Sequence, residues 1–306
     1  MEKWDIIILG AVCAGLTAGL YAARAGKRVL ILERGLPGGQ AALTQEIHNY
    51  PGLPGIDGVS LTQRMAQQAQ EAGAVLQCTA VDNIRLAEKR VETAAGDFCA
   101  DALIVAVGAE PKPLGIPGEE RFRGRGVSYC ASCDGFFYRN REVYVIGGGN
   151  SAGEETLHLS SLASRVHVLV RKDRLRCEAA IAQRLEQHPK IQLEYNRALR
   201  EIQGTDKVEA LVIADTASGQ QHTVPAEGAG VFIFVGYRPA TAPFVGVLPM
   251  DEDGYLVTND RLETPLPGIF AAGDVRQKPL RQIVTAVSDG AIAAFGACKY
   301  HSGMLQ

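Results

Sequence analysis

Two stretches of the chain carry the same order of apolar and polar positions. Residues 5–34, DIIILGAVCAGLTAGLYAARAGKRVLILER, open on an unbroken apolar run and turn at glycine. They continue through an alanine-rich segment of helical length and end in a second apolar run. Residues 142–172, EVYVIGGGNSAGEETLHLSSLASRVHVLVRK, repeat that order at nearly the same spacing. Short β-branched runs on either side of a helix-length segment predict a βαβ unit with parallel strands. Each unit has a later echo. LIVAVGAEPKP (103–113) and VFIFVGYRPAT (231–241) are apolar strands that end in Val-Gly and then reach a proline.

The pattern predicts an α/β chain with two Rossmann-like, doubly wound nucleotide-binding domains, the second inserted in the first. The first takes residues 1–113 and 244–306, because GIFAAGDV (268–275) and the helical pattern TAVSDGAIAAFGACKY complete it. The second takes 114–243. The proline-rich stretches 111–117 and 239–243 are the expected linkers.

A glycine turn between strand and helix directs backbone N–H groups at a pyrophosphate and removes the side chains that would block it. One such turn is weak evidence, since glycine also serves tight turns. Two in matching contexts are much stronger. Gly10 and Gly15 mark the first turn; Gly147, Gly149, Asn150 and Ser151 mark the second. Glu33 lies 23 residues after Gly10, where a carboxylate accepts from ribose hydroxyls. The matching position, 24 after Gly147, is Arg171, followed by Lys172 and Arg176. These cations would pair with a 2′-phosphate that a carboxylate would repel, which predicts NADPH there. The competing reading is a solvated basic face. The first turn departs from Gly-x-Gly-x-x-Gly: Val12 stands where the middle glycine belongs. A β-branched residue there disfavours positive φ, so either the loop is displaced or the dinucleotide is held less tightly.

Composition narrows the class. The chain has 306 residues, 46% apolar and 21% charged, which excludes disorder and accommodates two domains. The net charge is −3 without a basic block, so nucleic acid and anionic lipid are not expected partners. The amino terminus reads as a first strand rather than a signal peptide. No run approaches the roughly 20 apolar residues of a membrane span. A cytoplasmic protein is expected.

Seven cysteines are scattered in no secreted-disulfide pattern. Two of them, in Cys130-Ala131-Ser132-Cys133-Asp134, are spaced to form a redox disulfide. Half a zinc site and an inert pair are the alternatives, and no second Cys-x-x-Cys or His cluster supplies further ligands. Asp134 is either a helix cap or a proton donor beside a thiolate. Cysteines 13, 78, 99, 177 and 298 are expected to be small buried or partly buried hydrophobes. The six histidines form no motif, and no metal is expected.

Gly38-Gly39-Gln40, Asn49-Tyr50-Pro51-Gly52, CASCDGFFYRN (130–140), GGGNSA (147–152) and GIFAAGDV with Arg281-Gln282 resemble the low-molecular-weight thioredoxin reductases along essentially the whole chain. The resemblance implies FAD in the split domain and NADPH in the inserted one. FAD contacts would come from Gly10, Gly15, Glu33, Arg34, Gly38, Gly39, Gln40, Asn49, Val81, Gly108, Gly273, Asp274, Arg281, Gln282 and Ile283. It implies that Cys133 faces the flavin, that Cys130 attacks the protein disulfide, and that Asp134 serves as acid and base. It also implies a homodimer with thioredoxin as substrate and an NADPH domain that rotates. Two departures bear on the electron donor. The family's His-Arg-Arg reads Val170-Arg171-Lys172, and the carboxyl-terminal segments are similar to reductases of anaerobic bacteria, some of which use ferredoxin. NADH or ferredoxin as donor, and a non-catalytic flavin redox sensor, are the alternatives.

Overall fold

The computed structural model describes residues 1–44, 47 and 49–304, which include every expected site residue; His48 lies outside them. The chain divides into two units. One is Met1–Glu110 with Arg238–Gln306, and the other is Pro111–Tyr237.

In the first unit the strand Glu2–Leu9 lies parallel between Val29–Glu33 and Gly96–Val105. Val75–Cys78 extends the sheet beyond Val29–Glu33, and Ile269–Ala271 pairs with the end of Gly96–Val105. The first half of that long strand instead pairs antiparallel with Arg90–Thr93, which pairs with Val81–Arg85. Ile6, Ile7 and Ile8 are fully buried. Each contributes roughly 1.5–3 kcal/mol of transfer free energy. Alternate residues of this strand enter different cores, as its period of two requires. Ile6 and Ile8 pack with Leu16, Ala18 and Ala22 of the helix Cys13–Arg24 and with Ala293 and Ala297 of the helix Ile283–His301. Ile7 and Leu9 pack with Leu86, Val91, Phe98, Phe244 and Leu256.

The second unit repeats the plan. Its parallel order runs Ile191–Tyr195, Arg165–Val170, Glu142–Ile146, Gly230–Ile233, Val127–Ser128. Val143, Val145, Val166 and Val168 share a core with Ala152 and Leu159 of the helix Asn150–Leu162. Tyr144, Ile146 and Leu169 pack with Leu199, Ile202, Leu211 and Ile213, from the antiparallel strands Arg197–Gln203 and Ala210–Asp215.

Both sheets are thus Rossmann-like, but the expected double winding with helices is replaced on one face. There the cover is an antiparallel meander. Period-two strand segments bury the same apolar face as a helix would, and the continuous runs of the parallel strands do not specify which cover they receive.

Among the described residues no helix is long and apolar enough to cross a membrane. Cys13 is buried, and burial pushes its thiol up to about 12, which keeps it neutral. Cys99, Cys177 and Cys298 are half-buried. Cys78 departs from the expectation. It is exposed at the end of an edge strand, with Sγ 3.2 Å from the Gly35 carbonyl.

Candidate active site

The two glycine turns leave their helices without a protein cap. The helix Cys13–Arg24 starts after Val12 and the helix Asn150–Leu162 after Gly149, neither with a side-chain capping bond. The helix Gly58–Glu71, by contrast, is capped by Asp57, whose carboxylate accepts from Ser60 N–H at 2.8 Å. Uncapped first-turn N–H groups beside a glycine turn are free for a phosphate. Gly10 has φ +104°, and a Cβ there would lie 2.4 Å from the Ala106 carbonyl oxygen. Glu33 stands at the end of its strand, accepting from Ala11 N–H at 2.8 Å and Gly35 N–H at 3.2 Å. Those bonds hold its carboxylate beside the turn.

Val12 does not strain the loop. Its φ is −102° with ψ −175°, nearly the conformation of Gly149 (−95°, −175°). The middle position of this turn is extended, so the β-branched side chain meets no positive-φ penalty and the backbone need not be displaced. Its methyls lie over Gly39, where a Cβ would come within 2.7 Å of Val12 Cγ2. Gly39 leaves the space that Val12 fills.

Other expected first-unit residues are joined by direct bonds. Asn49 Nδ2 donates to Gln282 Oε1 at 2.8 Å, and Gln282 caps the helix that begins at Ile283 through a reciprocal bond with Thr285. The Arg281 guanidinium lies over the Tyr255 ring, 3.6 Å from its centroid. Gly38 N–H donates to the Ala11 carbonyl, which ties the Gly38-Gly39-Gln40 loop to the first turn. Arg34 is exposed and pairs with Glu110 at 2.9 Å. Gly108 has φ +69° with open space around it, and Val81 begins its own strand.

Gly273 and Asp274 rest on a residue that the sequence reading missed. Asp289, a buried carboxylate, accepts from Gly273 N–H at 3.0 Å and from Arg276 Nε at 3.1 Å. Lys278 lies 3.3 Å from Asp289 and 3.1 Å from Asp274. The available signal was a lone carboxylate inside the apolar helix Ile283–His301.

In the second unit Asn150 is bonded reciprocally to Glu178, donating to its carboxylate and accepting from its N–H. Ser151 is exposed in the first helical turn. Arg176 N–H donates to the Gly148 carbonyl. Arg171 and Lys172 line a cavity of about 490 Å³ together with Asp173, Asn196, Arg200 and Thr216, while Arg176 is not among its lining residues.

Cys130 and Cys133 form a disulfide with Cα atoms 5.3 Å apart. Cys130 caps the short helix Ala131–Asp134, its sulfur accepting from Cys133 N–H at 3.0 Å. An N–H directed at a sulfur favours the thiolate form of that sulfur. Asp134 makes no side-chain cap bond to the turn that follows, which removes the helix-cap alternative. Phe136 and Phe137, just after the pair, are 66% and 71% exposed. Two adjacent solvent-facing rings are a feature of interaction surfaces.

Glu155 packs beneath this helix. Burial, reinforced by Glu154, pushes its carboxyl up to about 7, offset in part by a bond from Ala131 N–H. An acid raised above its unfolded value of about 4.5 favours its neutral form in the fold. Stability is therefore fully present at acidic pH and falls as pH rises toward 7. The loss is at most roughly 1.4 kcal/mol per pH unit. Glu155→Gln is expected to flatten that decline in the unfolding midpoint between pH 5 and pH 8. An unchanged pH profile in the variant would refute the assignment.

The family model for the pyridine nucleotide-disulphide oxidoreductases matches residues 4–290. The chain is 42% identical over 294 residues to the thioredoxin reductase of Bacillus subtilis, covering 95% of this chain and 92% of that one. The crystal structure of Lactococcus lactis thioredoxin reductase superposes with a TM-score of 0.94 at 41% identity, covering 98% of this chain and all of the other. A ferredoxin-flavin thioredoxin reductase from Clostridium acetobutylicum gives 0.54 at 28% identity over 99% of each. On that family match and this likeness over nearly the whole chain, the chain belongs to the pyridine nucleotide-disulphide oxidoreductase family and, within it, to the low-molecular-weight thioredoxin reductases.

Proposed function

We propose that the chain is an NADPH-dependent thioredoxin-disulfide reductase that uses FAD. The observation that carries this reading is the Cys130–Cys133 disulfide, in a unit that also holds an uncapped glycine-turn helix. The first unit fits FAD: the turn at Gly10 has room for no Cβ, the helix after it lacks a cap, and Glu33 is held at the strand end. FAD bound there supplies two-electron exchange between a nicotinamide and the dithiol.

The chain's own residues carry the rest. Backbone N–H groups of the turns hold the pyrophosphates, Glu33 orients a ribose, and Arg171 and Lys172 neutralise a 2′-phosphate. Reduction of the disulfide by two electrons and one proton leaves a thiolate at Cys130 and a thiol at Cys133, and Asp134 is the residue we assign to pass that proton. The Cys130 thiolate attacks the disulfide of thioredoxin, forming a mixed disulfide and releasing one thiol. Cys133 then attacks Cys130 Sγ, releases the second thiol and restores the internal disulfide. The resemblance favours a homodimer, and the exposed Ile292 and Phe295 on the terminal helix support one.

The test is anaerobic mixing of the flavin-loaded protein with NADPH, NADH or reduced ferredoxin while flavin absorbance is followed. NADPH is expected to bleach the flavin at the lowest concentration. Arg171→Ala with Lys172→Ala is expected to raise the KM for NADPH at least about tenfold more than that for NADH, since each charge-assisted contact contributes roughly 1.5–3 kcal/mol. Bleaching by ferredoxin alone would overturn the donor assignment. A protein that takes electrons but reduces no thioredoxin would favour the sensor reading.

A further inference from the structure

We propose that Arg200 is a specificity-determining residue for the phosphate-bearing ribose of the nicotinamide dinucleotide, completing a three-cation seat with Arg171 and Lys172. This rests on the reading of NADPH as donor.

The cavity lies where the parallel strands end. Arg171 and Lys172 follow the strand Arg165–Val170, and Asn196 follows its neighbour Ile191–Tyr195. In open α/β sheets, ligands bind outside the carboxyl ends of the strands. Arg200 comes from a different element, the meander strand Arg197–Gln203. The pairing of that strand with Ala210–Asp215 shifts register between Leu199 and Glu201, so Arg200 is the extra residue of a β-bulge. A bulge re-aims the side chain it carries. Leu199 is buried in the core and Arg200 instead joins the cavity wall.

The wall is tied together by backbone bonds. Asn196 N–H donates to the Lys172 carbonyl at 3.0 Å and the Asn196 carbonyl accepts from Thr216 N–H at 2.9 Å. Thr216 Oγ1 donates to the Arg171 carbonyl at 3.0 Å. These bonds hold Asn196 at φ +55°, a conformation uncommon outside glycine. They also leave the three cationic heads unengaged: among the described residues none of Arg171, Lys172 and Arg200 makes a side-chain hydrogen bond or ion pair. The nearby Arg197, in contrast, is paired with Asp215. Against the one lining carboxylate, Asp173, three cations leave a net charge of two. A phosphate monoester carries between one and a half and two negative charges near neutral pH, roughly the complement.

The experiment measures binding of 2′,5′-ADP and of ADP to the flavin-loaded protein by calorimetry, for the wild type, Arg200→Ala and Arg200→Glu. The wild type is expected to prefer 2′,5′-ADP. Arg200→Ala is expected to cut that preference about tenfold, as loss of one charge-assisted contact implies. Arg200→Glu should cut it further, and added salt should shrink the difference between variants. A wild type that does not discriminate overturns both the donor reading and the role of Arg200. A wild type that discriminates, with the same preference in both variants, overturns the role of Arg200 alone.

Discussion

Replacing either member of the Cys130–Cys133 pair with serine is expected to lower thioredoxin reduction by at least about a thousandfold, the scale on which loss of a nucleophile acts. The two losses should differ in kind. Cys130 has the Cys133 N–H directed at its sulfur at 3.0 Å, which suits it to attack as a thiolate. Cys130→Ser leaves Cys133 without a disulfide partner. If Cys133 serves the flavin side, this variant will show a long-wavelength charge-transfer band without turnover. Cys133→Ser will lose both the band and the turnover. Flavin reduction by NADPH should survive in each, because neither substitution touches the glycine turns. Asp134→Asn should slow reoxidation of the flavin by the disulfide, since the proton for the departing thiolate is lost. Disulfide reductase activity retained in the double variant would defeat the assignment of this pair.

The second large effect belongs to a glycine of the first turn. Gly15 sits in the first turn of the helix Cys13–Arg24, and a Cβ there would stand 1.9 Å from the Gly10 carbonyl oxygen. Ile8 Cγ2 would lie 3.3 Å away. Backbone at that distance cannot yield as the tip of a flexible side chain can. Helix and turn must separate, at a cost at or above the usual 1–3 kcal/mol of overpacking. Gly15→Ala is therefore expected to purify without flavin and to unfold in the first unit at a much lower temperature. Gly35→Ala is the control, because no atom lies within 4 Å of its added Cβ and its φ is ordinary. Flavin retention and an unchanged unfolding midpoint in Gly15→Ala would show that the close approach is not needed.

The repeated units were legible because a buried parallel strand must be apolar along its whole length and a crossover helix must be long enough to span it. Ile6–Leu9 and Val143–Ile146 leave no other economical reading. The glycine turns and Cys130–Cys133 were legible for a related reason: their chemistry depends on residues close in sequence. Glu33, 23 residues beyond its turn, was reachable because strand and helix lengths set that distance.

What lay outside the sequence's reach depends on which distant segments meet. Val12 read as a defect, since a sequence does not state a backbone angle. The fold gives that position an extended conformation and sets Gly39, 27 residues on, under its methyls. Asp289 supports Gly273 from a helix position 16 residues further along the chain, and Glu155 acquires its raised carboxyl only when the helix Asn150–Leu162 packs against the dithiol segment. Arg200 is the clearest case. Nothing local marks it; a bulge set by pairing with Ala210–Asp215 brings it to Arg171 and Lys172. Periodicity and motif spacing are local properties and determined the two nucleotide-binding frameworks and the redox pair. Burial, charge grouping and the cover on the second face of each sheet arise from contacts between residues far apart in the chain, and only the tertiary structure decided them.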